Sequence, residues 1–104
     1  MIRMNTLKHV DTHMGELISD LQKLIQQPSV SAKNEGIEEC AKLVKTLLKS
    51  SGLKSEILRL KKGVAPIVFA EIKSKSNPDK TLMFYNHYDV QPAEPFDLWD
   101  DPPF

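Results

Sequence analysis

Residues 81–89 read Thr-Leu-Met-Phe-Tyr-Asn-His-Tyr-Asp, and the interpretation of the whole chain begins with them. The first six are almost continuously apolar or aromatic, which predicts an inner strand covered on both faces. His87 and Asp89 then follow two residues apart, so their side chains leave the same face of an extended backbone. A zinc-bound histidine usually donates its second ring N–H to a carboxylate. We therefore predict that His87 is a zinc ligand and that Asp89 is the carboxylate that orients it.

The sequence before this stretch predicts two helices. Apolar residues recur at intervals of three and four from Leu7 onward, and Pro28 predicts that this helix ends near Gln27. A second amphipathic pattern follows, for which Asn34 is the expected amino-terminal cap and Gly52 the expected carboxyl-terminal cap. The polar outer face of this second pattern indicates a helix that covers one side of a sheet.

Two further strands are predicted at residues 55–60 and 65–73, joined by a turn in which Gly63 permits a hairpin. Together with residues 81–86 they give an α/β arrangement of two helices followed by three strands of a mixed sheet. His87 would then lie at the carboxyl end of an inner strand, where open α/β sheets place their ligands.

Length and charge restrict the function further. The chain has 104 residues, so it forms one domain at most. Its 14 basic and 14 acidic residues cancel and are mixed along the sequence, which argues against nucleic-acid and membrane partners. No apolar stretch has the length of a signal peptide or membrane span, which predicts a cytoplasmic protein. The single cysteine, Cys40, lies on the apolar face of the second helix and is expected in the core.

Two other groups of residues resemble metal sites but favour a simpler interpretation. His9 and His13 are four apart on the first helix, yet Val10 stands where the His-Glu-x-x-His pattern has its glutamate. We interpret them as a solvated helix flank. Four acidic residues after the motif are interpreted as part of a solvated loop, because their spacing fixes no shared metal position: Glu94, Asp97, Asp100 and Asp101.

The surroundings of the candidate ligand resemble one family. Residues 86–92, Asn-His-Tyr-Asp-Val-Gln-Pro, followed by Trp99 and the Pro-Phe pair at 103–104, are similar to the motif of the co-catalytic zinc exopeptidases and deacylases. That family includes acetylornithine deacetylase, succinyl-diaminopimelate desuccinylase, carnosine dipeptidase and bacterial glutamate carboxypeptidase. Residues 24–31, Leu-Ile-Gln-Gln-Pro-Ser-Val-Ser, resemble its first helix and the loop that follows.

The resemblance implies a zinc-exopeptidase-like (phosphorylase/hydrolase-like) catalytic domain. Residues 1–104 would be its amino-terminal portion, without the rest of that domain and without the lid or dimerisation domain. Because the lid usually carries the dimer contact, a homodimer of the intact protein stays open.

The implied function is a metal-dependent hydrolase that cleaves amide bonds of small peptides or N-acyl amino acids, as a dipeptidase, carboxypeptidase or deacylase. His87 matches the histidine that binds one of two zinc ions, and Asp89 matches the acidic residue that orients it. Imidazole and carboxylate also accept Co²⁺ and Mn²⁺, so metal identity is open. The family's bridging aspartate, paired glutamates and last histidine have no match here. We therefore expect the 104-residue chain alone to be inactive.

The alternative is a non-catalytic α/β module used for structure or binding. In that case His87 would hold no metal and would be an ordinary hydrogen-bonded residue. A continuation of the reading frame into the missing ligands would favour the enzyme, and a natural stop codon after Phe104 would favour the module.

Overall fold

A computed structural model describes residues 2–104 of the chain. The two helices, α1 and α2, span Ile2–Gln26 and Ile37–Ser50, and the two strands, β1 and β2, span Lys54–Leu58 and Ile67–Glu71. Single 3-10 turns occupy Ser31–Lys33 and Phe96–Leu98. None of the helices within residues 2–104 combines the length and apolarity that a bilayer span requires.

Helix α1 ends at Gln26, two residues before Pro28, as its sequence pattern predicted. Much of its apolar stripe stays exposed, including Leu21 and Ile25. The helix therefore contributes little to the core, which lies around the amino-terminal half of α2.

Helix α2 begins later than the sequence predicted. Asn34 is not its cap: this residue ends the preceding 3-10 turn in the left-handed conformation, with φ of 50°. Gly36 is the residue before the helix, with φ of 69°, and its carbonyl accepts the Cys40 N–H at 2.9 Å. Asparagine tolerates the left-handed region better than most residues, so Asn34 serves the turn by its backbone and does not cap α2 by its side chain.

The carboxyl end of α2 agrees with the prediction. Gly52 has φ of 87°, and its N–H donates to the Lys49 carbonyl at 3.0 Å. The Leu53 N–H donates to the Leu48 carbonyl at 3.1 Å. These two bonds form a Schellman motif, in which glycine is favoured because it has no Cβ to clash.

Strands β1 and β2 form an antiparallel hairpin, with Lys54 opposite Glu71 and Leu58 opposite Ile67. Gly63 lies in the connection with φ of 80°, as expected of a turn glycine. Helix α2 packs on one face of the hairpin, and Ser55 Oγ donates to the Lys45 carbonyl at 3.0 Å. Cys40 and Ala41 are buried at this side of α2, so the prediction that Cys40 is a core residue is confirmed.

The predicted third strand does not form. Residues 81–86, here called the apolar segment, make no ladder with β1 or β2, and within residues 2–104 the sheet has two antiparallel strands and is not mixed. The side chains at positions 82–85 are between 80% and 88% exposed. An inner strand needs a neighbour on each side, and no described residue provides one.

Candidate metal centre

The predicted pair lies together directly after the apolar segment. His87 Nδ1 is 3.1 Å from Asp89 Oδ1 and 2.9 Å from the Asp89 backbone oxygen. A backbone carbonyl can only accept, so Nδ1 carries a proton, and in the neutral form of the ring the lone pair is then on Nε2. The His87 side chain is 79% exposed, and Nε2 makes no hydrogen bond with any described residue. This arrangement leaves one imidazole nitrogen available to a ligand.

The second oxygen of Asp89 has a partner that the sequence patterns did not reveal. Ser31 Oγ donates to Asp89 Oδ2 at 2.6 Å, from a position 58 residues earlier in the chain. The hydrogen bond from Ser31, and after it the one from His87, lowers the pKa of the Asp89 carboxyl from its ordinary value. Asp89 is therefore an ionised acceptor at neutral pH.

The segment that carries the pair, residues 87–90, contacts three other parts of the chain. Tyr88 donates its hydroxyl proton to the Pro66 carbonyl at 2.6 Å, and the Tyr88 carbonyl faces Cys40 Sγ at 3.7 Å. The Val90 N–H donates to the Ser29 carbonyl at 3.0 Å. Tyr88 and Val90 thus hold this segment against the body of the protein by their hydrogen bonds, and the His87 ring between them stays exposed.

Burial also keeps the anchoring side chains uncharged. It raises the pKa of the Tyr88 phenol and of the Cys40 thiol above their ordinary values. Both groups therefore stay protonated at neutral pH, where the phenol is a donor to the Pro66 carbonyl.

Residues 27–36, here called the exit loop, bring Ser31 to the site. Val30 is 2% exposed, forms an isolated parallel bridge with Val90, and exchanges backbone hydrogen bonds with Glu35 at 2.8 and 3.1 Å. The loop closes tightly, because a Cβ at Gly36 would lie 2.0 Å from the Pro28 carbonyl oxygen. Only glycine fits that position, a requirement that the sequence analysis did not recognise.

The acidic residues after the motif do not converge on a metal position. Glu94 forms an ion pair with Lys33, and within the part of the chain that the structure describes no three His, Cys, Asp or Glu side chains form a cluster suited to a metal. Trp99 donates its indole N–H to the Ala93 carbonyl at 2.7 Å. Pro103 and Phe104 line an open pocket of about 320 Å³ beside Val30.

His9 and His13 both lie on α1. Their rings stack with centroids 4.0 Å apart, and His13 Nδ1 donates to the His9 carbonyl at 2.8 Å. No carboxylate contacts either ring among the described residues, and His9 is exposed. That these two histidines form a solvated helix flank stays a prediction.

The donors present suit a divalent metal at one coordination position. A neutral imidazole with its remote nitrogen bonded to a carboxylate is the usual form of a zinc-binding histidine. Structural and catalytic zinc sites take three or four protein ligands, whereas His87 is a single one. The described residues therefore fit part of a metal centre and not a complete one.

The chain is similar in sequence to proteins of known function. No family model matches the chain. Succinyl-diaminopimelate desuccinylase of Blochmanniella pennsylvanica is 36% identical, over 85% of this chain and 22% of its own length. The Cys-Gly metallodipeptidase DUG1 of Saccharomyces cerevisiae is 31% identical, over 96% of this chain and 24% of its own length.

A solved structure agrees with these relatives. The M20 family metallo-carboxypeptidase Sso-CP2 of Sulfolobus solfataricus superimposes with a TM-score of 0.69 at 40% identity, covering 82% of this chain and 20% of that one. These matches confirm the predicted resemblance to the M20 zinc peptidase and deacylase family and the predicted α/β fold. It spans about a fifth to a quarter of the length of the relatives it matches.

Proposed function

We propose that this chain is part of a metal-dependent hydrolase that cleaves amide bonds of small peptides or N-acylated amino acids. The observation that carries the proposal is the contact of 3.1 Å between His87 Nδ1 and Asp89 Oδ1 on an otherwise exposed ring. The printed names of the relatives support it, because they describe a desuccinylase, a dipeptidase and a carboxypeptidase.

His87 would bind one divalent ion through Nε2, and zinc is the ion that the family implies, with two per intact active site. Bound there, the ions would supply Lewis-acid activation of water and of the amide carbonyl. The chain's own contribution is to orient that imidazole. Asp89 accepts a hydrogen bond from the Nδ1–H group, which leaves the Nε2 lone pair available to the metal. Co²⁺ and Mn²⁺ suit the same donors.

We further propose that residues 1–104 are the amino-terminal portion of the catalytic domain and have no activity alone. One imidazole provides neither a complete ligand set nor a general base for an attacking water. A cytoplasmic location and the absence of nucleic-acid and membrane partners remain predictions of the sequence, and a homodimer of the intact protein stays open.

The proposal is tested with Co²⁺ as the probe, in a variant that lacks competing imidazoles. The chain has three histidines, so a His9→Ala/His13→Ala background leaves His87 alone. In that background we expect Co²⁺ to broaden the His87 ring signals and the neighbouring backbone amide signals, and the amide broadening to be lost on replacing His87 with alanine. Unchanged His87 signals would contradict the metal-binding role.

Activity is measured separately on the unsubstituted chain. With Zn²⁺, Co²⁺ or Mn²⁺ present, we expect no hydrolysis of dipeptides or N-acyl amino acids above the rate of the metal ions alone. Turnover that disappears in the His87→Ala variant would overturn the predicted inactivity while supporting the hydrolase assignment.

A further inference from the structure

The carboxylate of Asp89 is bonded at both of its oxygens by residues from distant parts of the sequence. Oδ1 contacts His87 Nδ1 at 3.1 Å, and Oδ2 accepts the Ser31 hydroxyl proton at 2.6 Å. The last torsion of an aspartate side chain has broad, shallow minima, so one hydrogen bond alone leaves the carboxylate plane free to rotate. The Ser31 bond restricts that rotation.

Ser31 is itself in a fixed part of the backbone. It begins the 3-10 turn Ser31–Lys33, and its carbonyl accepts the Asn34 N–H at 3.1 Å. The residue before it, Val30, is buried and forms the parallel bridge with Val90. Val30 precedes Ser31 and Val90 follows Asp89, so the bridge between the two valines holds the backbones of Ser31 and Asp89 next to each other. The distance between the Ser31 hydroxyl and the Asp89 carboxylate is therefore set mainly by the backbone.

We propose that Ser31 is a positioning residue for the metal site. Its hydroxyl fixes the Asp89 carboxylate in the orientation that accepts the His87 Nδ1 proton, which leaves Nε2 unprotonated. The relevance to metal binding rests on the function proposed above, whereas the effect on the His87 ring exists without any metal.

The size of the effect is limited by a second acceptor. The Asp89 backbone oxygen lies 2.9 Å from His87 Nδ1 and favours the same ring tautomer after the carboxylate is released. Removing the Ser31 hydroxyl should therefore weaken the preference without abolishing it. We expect the ratio of the Nδ1–H to the Nε2–H tautomer to fall about two- to fivefold, the size of a partial loss of one hydrogen bond.

The test uses nitrogen NMR of the imidazole in the His9→Ala/His13→Ala background, at a pH where the ring is neutral. Ser31→Ala should raise the Nε2–H fraction of His87, and Ser31→Thr, which keeps the hydroxyl, should restore the original ratio. Ser76→Ala is the matched control, since Ser76 is exposed and its hydroxyl contacts only Ser74 and Asn77, both at 3.4 Å. The pair Ser31→Thr and Ser31→Val repeats the comparison if alanine disturbs the turn.

A Ser31→Ala ring signal identical to that of the parent variant would overturn the inference, and so would an equal change in Ser76→Ala. Adding Co²⁺ to the same samples separates this result from the proposed function. If Ser31 controls the tautomer but Co²⁺ leaves His87 unaffected in every variant, the positioning role holds and the metal site fails. If Co²⁺ broadens His87 equally in the parent variant and in Ser31→Ala, and the tautomer ratio is unchanged, the metal site holds and the positioning role fails.

Discussion

Two adjacent segments of the chain, residues 81–86 and residues 87–90, have opposite environments. The first is apolar, and its side chains at positions 82–85 are at least 80% exposed. The second is mostly polar, yet it contacts Pro66, Cys40 and Ser29 by its side chains and backbone. The geometry of the candidate metal centre therefore comes from contacts made after the apolar segment, and does not depend on a strand ladder within it.

The comparison also shows what the apolar segment lacks. Burying one large apolar side chain stabilises a fold by about 1.5–3 kcal/mol, and that stabilisation is not realised at positions 82–85. Exposed apolar runs with unpaired backbone groups are sites of association with other chains. Substitutions in the two segments should consequently have very different effects on stability.

The largest effect is expected at Gly36, which closes the exit loop. Gly36→Ala places a methyl group 2.0 Å from the Pro28 carbonyl oxygen and requires an unfavourable φ of +69°. We expect the free energy of unfolding to fall by about 2–4 kcal/mol in urea denaturation. Gly15→Ala is the control, because a Cβ there meets nothing within 4 Å in the middle of α1 and should stabilise by about 0.5–1 kcal/mol. Equal midpoints for the two variants would show that the loop tolerates the clash.

Tyr88 and Tyr85 give a matched pair across the boundary between the segments. Tyr88→Phe removes the hydrogen bond to the carbonyl of the buried Pro66 and should cost about 1–3 kcal/mol of unfolding free energy. Tyr85→Phe removes a hydroxyl from a side chain that is 88% exposed, and thermal denaturation should show no change. A loss of stability at Tyr85 equal to that at Tyr88 would contradict the contrast drawn here.

Local patterns predicted the features that depend on neighbours in sequence. The helix end before Pro28, the glycine cap at Gly52 and the proximity of His87 to Asp89 all follow from spacing along one element. The role of Ser31 could not be predicted in this way, because its partner is 58 residues away and no periodicity relates them. The prediction that Asn34 caps α2 was wrong, because helix caps and left-handed turn positions favour the same residue type.

A smaller effect is expected from the ion pair between α2 and the residue after β1. Arg59 donates to both carboxylate oxygens of Glu38 at 2.6 Å and lowers the pKa of that carboxyl. Because the pKa of Glu38 is lower in the folded than in the unfolded chain, its ionised form stabilises the fold. This stabilisation is complete above the unfolded-state pKa of about 4.3 and is lost as the pH falls through the folded-state pKa. Glu38→Gln should therefore destabilise the chain at pH 7, and the difference from the unsubstituted chain should shrink on acidification.

Denaturation midpoints between pH 7 and pH 3 measure this difference, with Glu39→Gln as the control on the next residue. The pair is exposed, so 1 M salt should also reduce the effect at pH 7. A difference between Glu38→Gln and the unsubstituted chain that grows as pH falls would show that the sign of the Glu38 contribution is wrong.

The smallest change in stability is expected inside the apolar segment. Phe84 is 80% exposed, so Phe84→Lys removes almost no packing and should change the free energy of unfolding by less than about 0.5 kcal/mol. Its effect on association should be much larger, because a charge interrupts the exposed apolar run. Light scattering and binding of a hydrophobic dye should both decrease relative to the unsubstituted chain. If Phe84→Lys instead destabilised the chain as much as Tyr88→Phe, the apolar segment would be packed in solution and the contrast with residues 87–90 would not hold.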